Sequence, residues 1–128
     1  MKVILIGSGG CMRELAWQIF EQNERENANW QIIGFVDKEP PSKKVFVNNI
    51  EIPYLGNDDY LLNLKEPTNV VLTIGSPILR EKIVNKIRYT NIFCISLFSI
   101  VFAFRIKSFS QHSQCLHNMF VDICNAVI

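Results

Sequence analysis

Short apolar runs alternate with amphipathic stretches through about residue 92, and the two periods predict different elements. Val3–Ile6 is apolar at consecutive positions, so Lys2–Ile6 reads as a strand buried on both faces. Met12, Leu15, Ala16, Ile19 and Phe20 then recur at helical spacing and form one apolar stripe. Gln31–Val36 is a second buried strand ending at Asp37, and Asn69–Ile74 a third. Between them, residues 38–48 carry Pro40, Pro41 and Lys43 and read as an exposed loop, with Ile52–Leu55 as a short edge segment. Asn57 is placed to cap a brief helix bearing Tyr60, Leu61, Leu62 and Leu64, with Asp58 and Asp59 in its first turn. After the third strand, Ser76 as N-cap and Pro77 at the first helical position start another helix, with Leu79, Ile83 and Ile87 as its apolar face. Ile92–Leu97 reads as a further strand. Strand, helix and strand repeated in this order predict an α/β fold, an open parallel sheet with helices on both faces.

Beyond that point the pattern dissolves. The apolar run from Ile92 to Phe104 is interrupted only by Ser96 and Ser99, and is shorter than the ~20 residues a bilayer span needs. Residues 105–128 show no clear period, with Leu116, Met119, Phe120 and Ile123 as the best helical face, and no glycine follows Gly75. The chain therefore divides into a domain over residues 1–92 and a last strand plus atypical apolar tail over 93–128. A truncated or frame-shifted reading of a longer gene would produce such a tail.

Composition narrows the partners. The 128 residues carry a formal net charge of +1, which gives no electrostatic reason to expect nucleic acid or an anionic membrane. The N-terminus lacks the apolar stretch of a signal peptide, so a reducing cytoplasm is the expected location. The four cysteines, Cys11, Cys94, Cys115 and Cys124, form no C-x-x-C pair and are expected as buried or free thiols. His112, Cys115 and His117 have the side-chain types of a zinc site, but their spacing matches no common zinc module, and no metal is assigned.

The candidate chemistry lies in the loops after the strands. Gly7, Ser8, Gly9 and Gly10 join the first strand to its helix, where bare α-carbons let a ligand approach and helix amides favour phosphate. Gly7 and Gly9 match the first two positions of the dinucleotide fingerprint G-x-G-x-x-G, but Met12 occupies the third. A ligand-free tight turn is the plainer alternative. Arg13, one turn into the helix, is a candidate anion contact. Asp37 at the end of the second strand suits ribose hydroxyls or a base, or else is a solvated turn carboxylate beside Lys38. Gly75-Ser76-Pro77 builds a second helix N-terminus at the same sheet edge, and two such termini around one crevice suggest a diphosphate. Arg80, on the first turn after it, is a candidate anion contact or a solvent-facing charge.

Four stretches in order, "ILIGSGGCMRELAWQI", "WQIIGFVDKEP", "IPYLGNDDYLL" and "NVVLTIGSPILREKIVNKI", resemble the N-terminal domain of the bacterial sugar O- and N-acyltransferases. This is the group of sialic-acid O-acetyltransferases and UDP-4-amino-sugar N-acetyltransferases. The resemblance spans residues 1–92. It implies a Rossmann-like domain that holds a nucleotide-sugar, a UDP-sugar above all, with Gly7, Ser8, Gly9, Gly10, Asp37, Lys38, Gly75 and Ser76 in the binding role. The family often has His-Gly after the glycine pair, where this chain has Cys11 and Met12. Position 11 is therefore assigned no sugar contact.

Members of that family continue into a left-handed β-helix that trimerises, binds acetyl-CoA and supplies the catalytic histidine. No hexapeptide repeat is legible in residues 93–128, so the expectation is substrate binding without acetyl transfer, no cofactor in this chain and no catalytic residue. A homo-oligomer is compatible with this reading, and a trimer would require the β-helix. An NAD(P)-binding domain of a regulator or redox protein is the rival reading, and an interaction module built on the tail is a third.

Overall fold

The computed structural model describes residues 1–87, 90 and 92–94. Five strands form one parallel sheet in the order β5 (Tyr54–Gly56), β2 (Gln31–Val36), β1 (Lys2–Ile6), β6 (Thr68–Leu72), β7 (Ile92–Cys94), and β3 (Val45–Val47) and β4 (Ile50–Ile52) form a separate two-stranded ribbon. The central strand β1 (Lys2–Ile6) pairs with β2 (Gln31–Val36) on one side and β6 (Thr68–Leu72) on the other. Its four apolar side chains are all buried because the sheet is covered on both faces. Val3 and Leu5 point to one face and Ile4 and Ile6 to the other.

Helix α1 (Gly10–Glu26) covers the first face, setting Met12, Leu15, Ala16 and Ile19 against Val3, Leu5, Phe35 and Val71. Asn27, in the left-handed conformation at φ 51°, ends it. The Asn23 amide then holds the turn into β2, donating to Trp30 O at 2.8 Å and accepting from Trp30 N at 3.0 Å. On the second face lie α2 (Asp58–Leu62) and α3 (Pro77–Ile87), whose Leu61, Ile83 and Ile87 pack with Ile4, Ile6, Val36 and Val70. Asn57 Oδ1 caps α2 by accepting from Asp59 N at 3.0 Å, and Lys86 Nζ reaches Asp58 Oδ2 at 3.1 Å to tie α3 to α2. Helices therefore flank a parallel sheet, as the alternation of periods predicts.

Three local expectations change. The stretch read as a loop over 38–48 contains β3 (Val45–Val47), which pairs antiparallel with β4 (Ile50–Ile52). Val45, Val47 and Ile52 face the α1 side of the core, so alternation within an otherwise polar stretch was the signal. Their turn is Asn48-Asn49, with φ of 51° and 61°, the two positive angles a type I′ hairpin requires. Second, the edge segment expected over Ile52–Leu55 divides at Pro53, and β5 (Tyr54–Gly56) joins the main sheet beside β2. Third, the inner face of α3 centres on Ile83 and Ile87 with Arg80, while Leu79 is 50% exposed. Eight residues of helix advance about 80° beyond full turns, which carries Leu79 away from the face Ile87 occupies.

Strand β7 (Ile92–Cys94) pairs with β6, so the boundary drawn at residues 92/93 falls inside a strand. The remainder of the expected strand to Leu97, the apolar run to Phe104, the Leu116–Ile123 helical face and the His112, Cys115 and His117 group lie outside the described residues. Cys11 is buried and disulfide-bonded, where a buried or free thiol is expected.

Candidate functional site

The strand order places a topological switch between β1 and β6, because α1 carries the chain from β1 toward β2 and α3 carries it from β6 toward β7. Loops leaving neighbouring strands in opposite directions open a crevice at their C-terminal ends, where ligands bind in open α/β sheets. The β1–α1 loop holds Gly7, Ser8 and Gly9, and the β6–α3 loop holds Thr73 to Ser76. They touch: a side chain built on Gly7 would meet Thr73 Oγ1 and Ile74 Cγ1, each at 3.1 Å.

The glycines fall into two sets. Gly7 has φ +115° and is crowded by Thr73 and Ile74, so the backbone itself requires glycine there. Gly34 lies where β5 crosses close to β2, and a Cβ would stand 2.5 Å from Pro53 O. Gly56 has φ +144° beside Tyr60. Gly9, Gly10 and Gly75 differ, because a Cβ on any of them would meet no atom within 4 Å among the described residues. None of the three has a positive φ. Packing does not require them, and all three stand at the crevice, where their missing side chains leave room.

The two helix starts at this edge are unlike. Gly9 is the N-cap of α1 and supplies no side-chain cap to the first-turn amides. Ser76 caps α3 as its sequence predicts, with Leu79 N donating to Ser76 Oγ at 3.5 Å and Arg80 N to Ser76 O at 3.0 Å. Among the described residues the N-cap of α1 thus brings its dipole end to the crevice with no capping side chain, the arrangement that suits an anionic group.

At the end of β2, Asp37 joins this edge through both carboxylate oxygens. Ser8 Oγ donates to Asp37 Oδ2, and Lys38 N donates to Asp37 Oδ1 at 2.6 Å. Asp37 N in turn donates to Gly56 O at 3.1 Å, and Tyr54 Oη to Asp37 O at 3.3 Å. The carboxylate is therefore oriented by the glycine loop on one side and its own turn on the other, with lone pairs left for further donors. Tyr54, whose ring centroid lies 5.6 Å from that of Phe35, is a supporting residue that sequence reasoning missed. Its signal was a lone tyrosine in the edge segment after Pro53.

Of the predicted site residues, the fold brings Gly7, Ser8, Gly9, Gly10, Asp37, Lys38, Gly75 and Ser76 to one edge. Arg13 is exposed on the second turn of α1, and Lys38 is exposed beside Asp37. Arg80 is only 7% exposed, so the alternative of a solvent-facing charge is excluded. Met12, at the third fingerprint position, is fully buried between α1 and the sheet. Among the described residues no group of His, Cys, Asp or Glu is arranged to hold a metal, and no helix is long and apolar enough to cross a membrane.

This topology and switch-point crevice define a Rossmann-like α/β domain. The family model of the PglD N-terminal domain matches residues 2–87, and the chain belongs to that family. PglD is an N-acetyltransferase of the sugar acyltransferase family, and the matched domain fits the substrate-binding part of such an enzyme. No curated protein matches the chain.

Proposed function

We propose that residues 1–87 bind a nucleotide-linked sugar, a UDP-sugar, with the diphosphate across the crevice between the starts of α1 and α3. The observation that carries this is the open space, among the described residues, over Gly9, Gly10 and Gly75, three glycines that their packing does not require and that all stand at the switch point. The uncapped α1 terminus supplies amides and a positive dipole end for phosphate. Asp37, oriented by Ser8 and Lys38 N, accepts hydrogen bonds from the nucleoside end. Arg13 adds a charge at the mouth, where an extended side chain meets a phosphate.

Substrate binding without acetyl transfer is the role assigned to this chain. No described residue is assigned to acetyl-CoA or to proton transfer at the sugar, and the cytoplasm is the location assigned to the domain. Thermal unfolding of the 128-residue chain with UDP-N-acetylglucosamine and, separately, with NAD(H) tests the reading. The UDP-sugar is expected to stabilise the chain and NAD(H) to leave it unchanged. A shift with NAD(H) alone would establish the dinucleotide alternative, whereas acetylated sugar formed from acetyl-CoA by this chain would overturn binding without transfer.

A further inference from the structure

The peptide unit between Ile6 and Gly7 is the last rigid plane before the chain turns into the glycine loop, and both of its polar ends are occupied. Its N–H, from Gly7, donates to Val36 O on β2 at 2.8 Å. Its carbonyl, from Ile6, accepts twice from Thr73 at the end of β6: from the backbone N–H at 2.9 Å and from Oγ1 at 2.7 Å. Thr73 is 2% exposed, and its hydroxyl also lies 3.5 Å from Gly7 O. The same oxygen stands 3.1 Å from where a Gly7 side chain would begin, so it fills the space beside the bare α-carbon.

We propose that Thr73 is a positioning residue for the ligand loop, setting the plane of the Ile6–Gly7 peptide through its side chain. A peptide carbonyl has two lone pairs, and here the backbone of β6 supplies a donor for one and the Thr73 hydroxyl for the other. With both ends held, the plane cannot rock about the strand axis, and the φ of Gly7, +115°, is the first free angle beyond it. The direction in which Gly9 and Gly10 leave the sheet follows from that plane. An apolar side chain of the same shape would preserve the packing but leave one carbonyl lone pair unsatisfied in a buried site.

The binding arm of the test rests on the nucleotide-sugar reading, and the backbone arm does not. Thr73→Val removes the hydroxyl and keeps the branched shape, whereas Thr73→Ser keeps the hydroxyl. Amide chemical shifts and hydrogen exchange of the ligand-free full chain are followed at Gly7, Gly9 and Gly10, with Ile19 and Val70 as core references. Thr73→Val is expected to move the glycine signals and speed their exchange relative to the core references, with Thr73→Ser restoring both. Affinity for UDP-N-acetylglucosamine is expected to fall about five- to tenfold in Thr73→Val, the equivalent of one net hydrogen bond, and to return in Thr73→Ser. Unchanged glycine amides in Thr73→Val overturn the proposal, as does a uniform loss of core protection that Thr73→Ser fails to reverse. If Thr73→Val does not fold, Thr73→Ala removes the hydroxyl without adding bulk and is read against the same outcomes. A wild-type chain that binds no UDP-sugar counts against the proposed function, while the glycine amides still decide the role of Thr73.

Discussion

Single positions in this domain separate what the fold needs from what a ligand needs. Gly10 begins α1, and among the described residues nothing occupies the space where a side chain would go, so alanine meets no clash there. Gly10→Ala should raise stability to unfolding in urea by about 0.4–1 kcal/mol, because alanine restricts the unfolded chain. On the proposed function, the same methyl would intrude on the crevice and weaken UDP-sugar binding. Gly7→Ala should act in the opposite sense on stability, costing about 1–3 kcal/mol, since it places a side chain at φ +115° against Thr73 and Ile74. Urea denaturation of the two variants checks both signs. Equal destabilisation by both would mean that Gly10 serves packing after all. Both glycines were legible in the sequence as one cluster, but the cluster could not say which member served which purpose.

At the level of elements, the least legible features lie around β5 and the β3–β4 ribbon. Gly34 sits inside a β-branched and aromatic run, and its role becomes clear only where β5 crosses it. Phe35 N donates to Pro53 O at 2.9 Å, and that carbonyl occupies the space a Gly34 side chain would need. Gly34→Ala should therefore force β5 away from β2 and cost about 1–3 kcal/mol or more, the range for overpacking a close-fitted core. The loss should appear in urea denaturation. It should be accompanied by faster amide exchange at Asp37, whose N–H donates to Gly56 O at the end of β5. An alanine variant of wild-type stability would show that β5 can shift without cost. The ribbon was readable in hindsight from Val45, Val47 and Ile52 around Asn48-Asn49. Prolines and lysines before it masked a three-residue strand too short to carry a period of its own.

Across the whole molecule, the proposed site is assembled from the ends of β1, β2 and β6, so its occupation should stabilise the entire domain against unfolding. At a ligand concentration 100 times Kd the linkage is about 2.7 kcal/mol. For a domain of this size it should raise Tm by about 10 °C, measured by calorimetry with UDP-N-acetylglucosamine. No change in Tm at that concentration, or protection confined to elements away from the β1–α1 and β6–α3 loops, would count against binding at this crevice. The sequence by itself determined the parallel α/β layering, β1, β2 and β6, the long helix α1, and the Asn57 and Ser76 caps. Those features are written in periods and capping residues a few positions apart, where local physics suffices. Only the tertiary structure decided that Ser8 orients Asp37, that Thr73 holds the peptide before Gly7, that Arg80 is buried and that Gly34 makes way for β5. Each of these joins residues distant in the chain or depends on packing against another layer. Such contacts follow from the register of neighbouring strands, which the whole core sets and no short stretch of sequence contains.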